Sequence, residues 1–127
     1  MKTGMKRAAA LLAGFALGVA TASAVHAQEA KPPAFTIAEI EVLDPDGFQE
    51  FAKRNAAGVA AAGGRFLALR GRTASTEGTP PKGVALIAWE SLDQAVDYFN
   101  SPTFRALVPL RDRSARVRVF HVEGLSK

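Results

Sequence analysis

The chain has 127 residues, with 16 Lys and Arg against 12 Asp and Glu and a formal net charge of +4. Three of the cations, Lys2, Lys6 and Arg7, fall in the first 27 residues; the rest of the chain has thirteen against twelve, a net +1 too close to neutral to favour nucleic-acid binding. There is no cysteine, which excludes disulfides, thiolate metal sites and thiol catalysis.

The chain opens with MKTGMKR, which carries cations and no acid, and continues as an apolar run from Ala8 to Ala22. SAVHAQ follows, with small residues at Val25 and Ala27. Charged start, short apolar core and small residues at a cleavage point read as a secretory signal peptide over residues 1–27. The run is shorter than the roughly 20 residues that a membrane span needs, and no cysteine is present to take a lipid. Cleavage is expected after Ala27, with Ala22-Ser23-Ala24 as the second choice, giving a periplasmic or secreted protein with no membrane attachment. The remaining 100 residues are enough for one small domain. Residues 28–34 (QEAKPPA) read as a flexible leader, 35–124 as the domain and 125–127 as a tail.

FTIAEIEVL, from Phe35, has the composition of a strand. Asp44-Pro45 supplies an N-cap and a proline at the first helical position. Phe48, Phe51, Ala52, Ala56 and Val59 then give one apolar helix face, and Gly63-Gly64 ends the helix. RFLALRGR (65–72) is the second strand, TASTEGTPPKG a loop, and VALIAW (84–89) the third and most apolar strand. Ser91 opens the second helical region, with Gln94 in the capping-box position. Ser101-Pro102 breaks that region, since proline cannot continue a helix but can begin one behind a serine cap. Two pieces are expected, Ser91–Asn100 and Pro102–Ser114, meeting at a corner where Tyr98, Phe99 and Phe104 pack; a packed corner is the preferred reading over a ligand site. RVRVFHVEG (116–124) closes the chain as a fourth strand, completing the order β-α-β-β-α-β.

A sheet covered on one side should alternate apolar and polar residues, and these strands do not. Val84, Leu86 and Ala88 oppose Ala85, Ile87 and Trp89, while Val117 and Val119 oppose Phe120 and Val122. Right-handed crossovers put both helical regions on one face. The other face is then apolar and uncovered, and a second copy of the chain is the simplest cover.

EIEVLDPDGFQEFAK, GGRFLALRGR, STEG, WESLDQAVDYFNSPTFRALVPLR and the closing VEG, in that order and spacing, resemble the domain of unknown function 1330 family, within the dimeric α+β barrel superfamily. The resemblance covers nearly all of Phe35 to Gly124. It implies an α+β fold, a ferredoxin-like β-α-β-β-α-β sandwich with an antiparallel four-stranded sheet, forming a dimeric α+β barrel with a cleft between sheet and helices in each subunit. It implies no single activity, because superfamily neighbours include cofactor-independent monooxygenases, decyclising and dechlorinating enzymes, and proteins without known chemistry. The chain departs from the family pattern at Ala88, a position often acidic in relatives, and at Phe48, Phe51, Phe99 and Phe104, where tyrosine is usual.

Several residues are candidates for a ligand site. His121, the only histidine after cleavage, titrates near neutral pH, although a sheet-edge or interface histidine is the simpler reading. Arg70 and Glu77 fall where relatives carry RG and EG; they suit a carboxylate clamp and a proton acceptor, or a pair across the loop. Glu39 stands mid-strand among apolar residues, a candidate base if buried and a salt-bridge partner otherwise. Tyr98 and Phe99 would supply aromatic walls. Arg111, Arg113, Arg116 and Arg118 form the charge cluster of the chain, which a helix C-terminus accommodates without a partner. One histidine cannot build a usual transition-metal site, and no phosphate-cradling, dinucleotide or nucleophile-elbow motif is present, so neither metal nor cofactor is expected. Two readings stand: a homodimer binding a small, partly apolar molecule in the sheet–helix cleft, with or without cofactor-free chemistry, and a non-catalytic dimeric module whose apolar interior is only core. A sealed cleft with Tyr98 and Arg70 apart favours the second, and an open one where aromatic and charged groups converge favours the first.

Overall fold

The computed structural model describes residues 31–126, so the expected signal segment lies outside the described residues. The chain forms β1 (Ala34–Val42), α1 (Pro45–Ala61), β2 (Arg65–Leu69), β3 (Val84–Trp89), α2 (Leu92–Phe99), α3 (Pro102–Arg105), α4 (Val108–Ser114) and β4 (Ala115–Glu123). The strands make one antiparallel sheet in the order β2-β3-β1-β4. This is the ferredoxin-like arrangement that the family resemblance implied.

Each break has a local cause. α1 ends in a Schellman motif: the Gly63 N–H donates to Ala60 O, the Gly64 N–H donates to Val59 O, and Gly63 takes φ 91°, which glycine alone accepts freely. Its start differs from expectation, because Asp44 holds the N-cap position but its carboxylate makes no cap hydrogen bond. Ser91 caps α2 by accepting from Gln94 N at 3.2 Å, and the Gln94 side chain accepts in turn from Glu90 N and donates to Ala62 O at the end of α1.

Two expected boundaries are corrected. β2 stops at Leu69 rather than Arg72, because Arg70 adopts φ 52° and turns the chain out of the sheet. The second helical region has three pieces rather than two. A helix running on from Pro102 would need Pro109 to donate to the Arg105 carbonyl; proline has no N–H and its ring clashes there, so the chain breaks at Ala106–Leu107 and restarts as α4.

The helices cover one face of the sheet. Thr36, Ala38 and Ile40 of β1, Ala85, Ile87 and Trp89 of β3, and Val117 and Val119 of β4 point toward Phe48, Phe51, Val59, Tyr98, Phe104 and Leu107. β2 joins them through a bulge between Phe66 and Ala68. Phe66 and Leu69 are three apart and would face opposite sides of a regular strand; the bulge pairs them with Ile87 and Ala85, both helix-facing. The opposite face carries Phe35, Ile37, Leu86, Phe120 and Val122 at one end, with Phe120 41% and Val122 46% exposed. At its other end, register places Glu39 opposite Arg118 and Glu41 opposite Arg116.

The Ser101-Pro102 corner is a packed joint. Ser101 Oγ accepts from Phe104 N at 3.3 Å and donates to Tyr98 O at 2.6 Å, tying the end of α2 to the start of α3. The Phe99 and Phe104 rings meet across it at 4.6 Å. Ser101→Ala is therefore expected to cost about 1 kcal/mol in urea unfolding through the lost cap. Pro102→Ala should be close to neutral, since alanine suits a first helical turn; a larger loss than that of Ser101→Ala would assign the corner to the proline ring instead.

Candidate functional site

The cleft between sheet and helices is lined by aromatic rings from four elements. α1 contributes Phe48 and Phe51, β2 contributes Phe66, and α2 and α3 contribute Phe99 and Phe104. The remaining space is about 40 Å³. Drug-sized ligands occupy several hundred Å³, so the slot as it stands admits a small group or the end of a chain. It meets the surface beside Leu69, 51% exposed on the edge strand, and beside Arg111 of α4. Asn55 is the other polar residue of the lining. Its amide oxygen is occupied, accepting from the Tyr98 hydroxyl at 2.7 Å.

Two guanidinium groups lie on rings of this cluster. Arg111 stands 5.7 Å from the Phe104 centroid, and its Nε and Nη2 donate to Asp112 Oδ1 at 3.1 and 3.0 Å. Arg70 stands 5.3 Å from the Phe48 centroid and has no carboxylate partner among the described residues.

A second polar arrangement lies on the same sheet face. Thr36, fully buried, accepts from Trp89 Nε1 at 2.8 Å, and its Oγ1 is 2.9 Å from His121 Nδ1. Indole can only donate, so Thr36 Oγ1 accepts there; toward His121 Nδ1 the hydroxyl donates or accepts according to the imidazole tautomer. The His121 ring packs against Phe99 at 5.0 Å, and burial lowers its pKa below 6.5. Burial likewise raises the Tyr98 pKa above 10.0, leaving its hydroxyl a donor.

The residues singled out from the sequence do not assemble into one site. Phe99 lines the cleft. Tyr98 is buried beside it in the aromatic cluster, stacked on Trp89 at 5.6 Å, with Gly58 allowing the close approach of its hydroxyl. His121 packs on Phe99 but does not line the slot, and Arg70 lies over Phe48. Glu39 is on the opposite face of the sheet, ion-paired with Arg118, which is the salt-bridge alternative rather than the buried base. Glu77 lies in the exposed 70–83 loop, where its backbone carbonyl accepts from Ser75 Oγ, and it forms no ion pair with Arg70. The arginine cluster divides, Arg111 and Arg113 in the last turn of α4 and Arg116 and Arg118 on the open sheet face. Sequence reasoning missed Thr36, Trp89 and Asn55 as polar members. Thr36 had a usable signal, a hydroxyl in phase with buried Ala38 and Ile40 that needs an internal partner.

Burial disfavours the charged form of His121, so its titration acts on stability. As pH falls, the unfolded chain, with its ordinary histidine pKa, takes up the proton before the folded one does. Stability is therefore lost as pH drops below about 6.5 and levels off beneath the lowered folded pKa. Urea unfolding at about pH 7.5 and pH 5.5 is expected to show the loss, and His121→Gln to reduce it. An equal pH dependence in both proteins would place the titration elsewhere.

The fold is similar to several solved structures at low identity. A protein of unknown function from Rhodopseudomonas palustris superposes with a TM-score of 0.61 at 13% identity, covering 83% of this chain and 92% of that one. SnoaB, a cofactor-independent oxygenase from Streptomyces nogalater, gives 0.54 at 18% identity over 74% of this chain and 94% of its own. A dimeric ferredoxin-like protein of unknown function from Thermobifida fusca gives 0.52 at 13% identity, covering 74% and 92%. No curated protein sequence matches the chain. These likenesses establish the fold. Residues 33–125 match the domain of unknown function DUF1330, as the ordered motifs from EIEVLDPDGF to VEG implied, and the chain belongs to that family.

Proposed function

We propose that this chain is exported, pairs with a second copy through its open sheet face, and holds a small, largely apolar molecule in the sheet–helix cleft. The observation that carries the binding reading is the convergence of five phenylalanines on a slot that reaches the surface beside Leu69 and Arg111. A binding role fits the site better than catalysis. No carboxylate or histidine lines the slot, Asn55 is engaged by Tyr98, and the Nδ1 of His121 is engaged by Thr36. The small size of the slot favours a second reading, in which the rings are only core and the protein is a structural dimer module. Native mass spectrometry of the protein purified from its exporting host separates the two. A co-purified small molecule, lost with Phe104→Trp, supports binding; a bare chain that no apolar probe perturbs supports the module.

Dimerisation is supported by the open face. Full burial of a side chain of this kind is worth roughly 1.5–3 kcal/mol. Phe120 and Val122 are 41% and 46% exposed and Phe35, Ile37 and Leu86 half-buried, so covering the face gains a part of that at each of the five, set against the entropy of association. At the charged end Glu39 pairs with Arg118 and Glu41 with Lys82, which limits the penalty for covering those carboxylates. Equilibrium sedimentation is expected to find a dimer at micromolar concentration. Leu86→Glu should give a folded monomer, while Ile87→Glu, only 3% exposed beneath the helices, should lose the fold. A folded, monomeric unmodified protein would remove the pairing.

Export rests on the charged and apolar pattern of residues 1–27. N-terminal sequencing of the periplasmic protein is expected to start at Gln28; soluble cytoplasmic protein retaining Met1 would end the claim.

A further inference from the structure

Arg70 is built into the rim of the cleft in a way its own fold does not require. It is a non-glycine residue at φ 52°, in the left-handed region where a side chain is disfavoured. Its backbone N–H is held by Val84 O at 2.8 Å. Its stem runs past Gly83, where an added Cβ would stand 3.5 Å from Arg70 Cγ and 3.8 Å from Nε. The guanidinium is thereby set over Phe48, one residue beyond Leu69, and both Phe48 and Leu69 line the slot. The other cations placed on rings, Arg111 and Arg118, are each paired with a carboxylate, Asp112 and Glu39. Arg70 has none among the described residues, so its positioned charge is available to an anion.

We infer that the ligand of the cleft is a carboxylate with a short unbranched apolar tail, its head paired with Arg70 at the rim and its tail among the phenylalanines. The inference rests on the binding reading proposed above and adds the ligand class to it. A guanidinium presents parallel donors that match a carboxylate, and a ring beneath it restricts its motion. A slot of about 40 Å³ takes the end of a linear chain rather than a ring or a branched skeleton. Benzene fills an apolar cavity of about 150 Å³ in a known case, several times the space here.

The test uses the purified protein and linear carboxylates from butanoate to octanoate, each beside the alcohol of equal chain length. Binding is read by calorimetry and by amide chemical shifts. Saturable shifts are expected at Ala52, Leu69 and Phe104, with each carboxylate bound roughly ten-fold tighter than its alcohol, the scale of one charge-assisted hydrogen bond. Arg70→Gln should remove that advantage by weakening the carboxylates far more than the alcohols, and Arg70→Lys should restore part of it. Should Arg70→Gln not fold, the carboxylate-to-alcohol ratio in the unmodified protein decides alone. Equal binding of acid and alcohol would overturn the assignment of Arg70 and leave the apolar cleft standing. Absence of saturable shifts with either series would overturn the cleft reading and this inference with it.

Discussion

A sheet that is apolar on both faces carries helices on only one of them, and much of the molecule follows from that imbalance. On the covered face, Ile40, Ile87 and Trp89 lie under Phe51, Val59, Tyr98 and Phe104 and form the core. On the open face, Leu86, Phe120 and Val122 have no cover within the described chain. Burial is the main favourable term for a domain this small, so leaving that face wet would waste a large share of what the sequence provides. The open face divides into an apolar end and a charged end, where Glu39 pairs with Arg118 and Glu41 with Lys82.

The covered face handles its few polar groups with internal partners. Trp89, Thr36 and His121 form one chain of hydrogen bonds, and Tyr98 with Asn55 forms another. Among the described residues, no buried side-chain nitrogen or oxygen lacks a partner. Such closed networks favour a single packing arrangement, because each group would be costly to leave unpaired. They also leave the aromatic slot with little polar capacity of its own. Any recognition of charge must come from the rim, where the 70–83 loop leaves the sheet and α4 begins its last turn.

That rim depends on irregularities. The bulge in β2 brings Phe66 and Leu69 to the same side, and the left-handed turn at Arg70 then directs its side chain back over Phe48. A regular strand continuing to Arg72 would have carried Arg70 along the sheet edge and left Phe48 without a cation above it. The departure from regular geometry is what relates the loop to the cleft.

The order of strands and helices was legible because it rests on local chemistry: the Gly63-Gly64 stop, the Ser91 and Ser101 caps and the short continuous apolar run of β3. The uncovered apolar face was legible for the same reason, since strand parity needs no knowledge of the partner strand. Pro109 carried a further signal, the second helix break, in the same local terms. What required the tertiary structure was everything set by register and by side chains from distant segments. Which parity of β3 faces the helices, whether Glu39 is a buried base or a partner of Arg118, and whether His121 reaches Thr36 all depend on residues 79 to 85 positions away or on the opposite strand. The β2 bulge inverts the face of every residue after it, so Leu69 and Arg70 could not be placed by counting. Local propensity determines elements; only the pairing of strands decides which side chains meet.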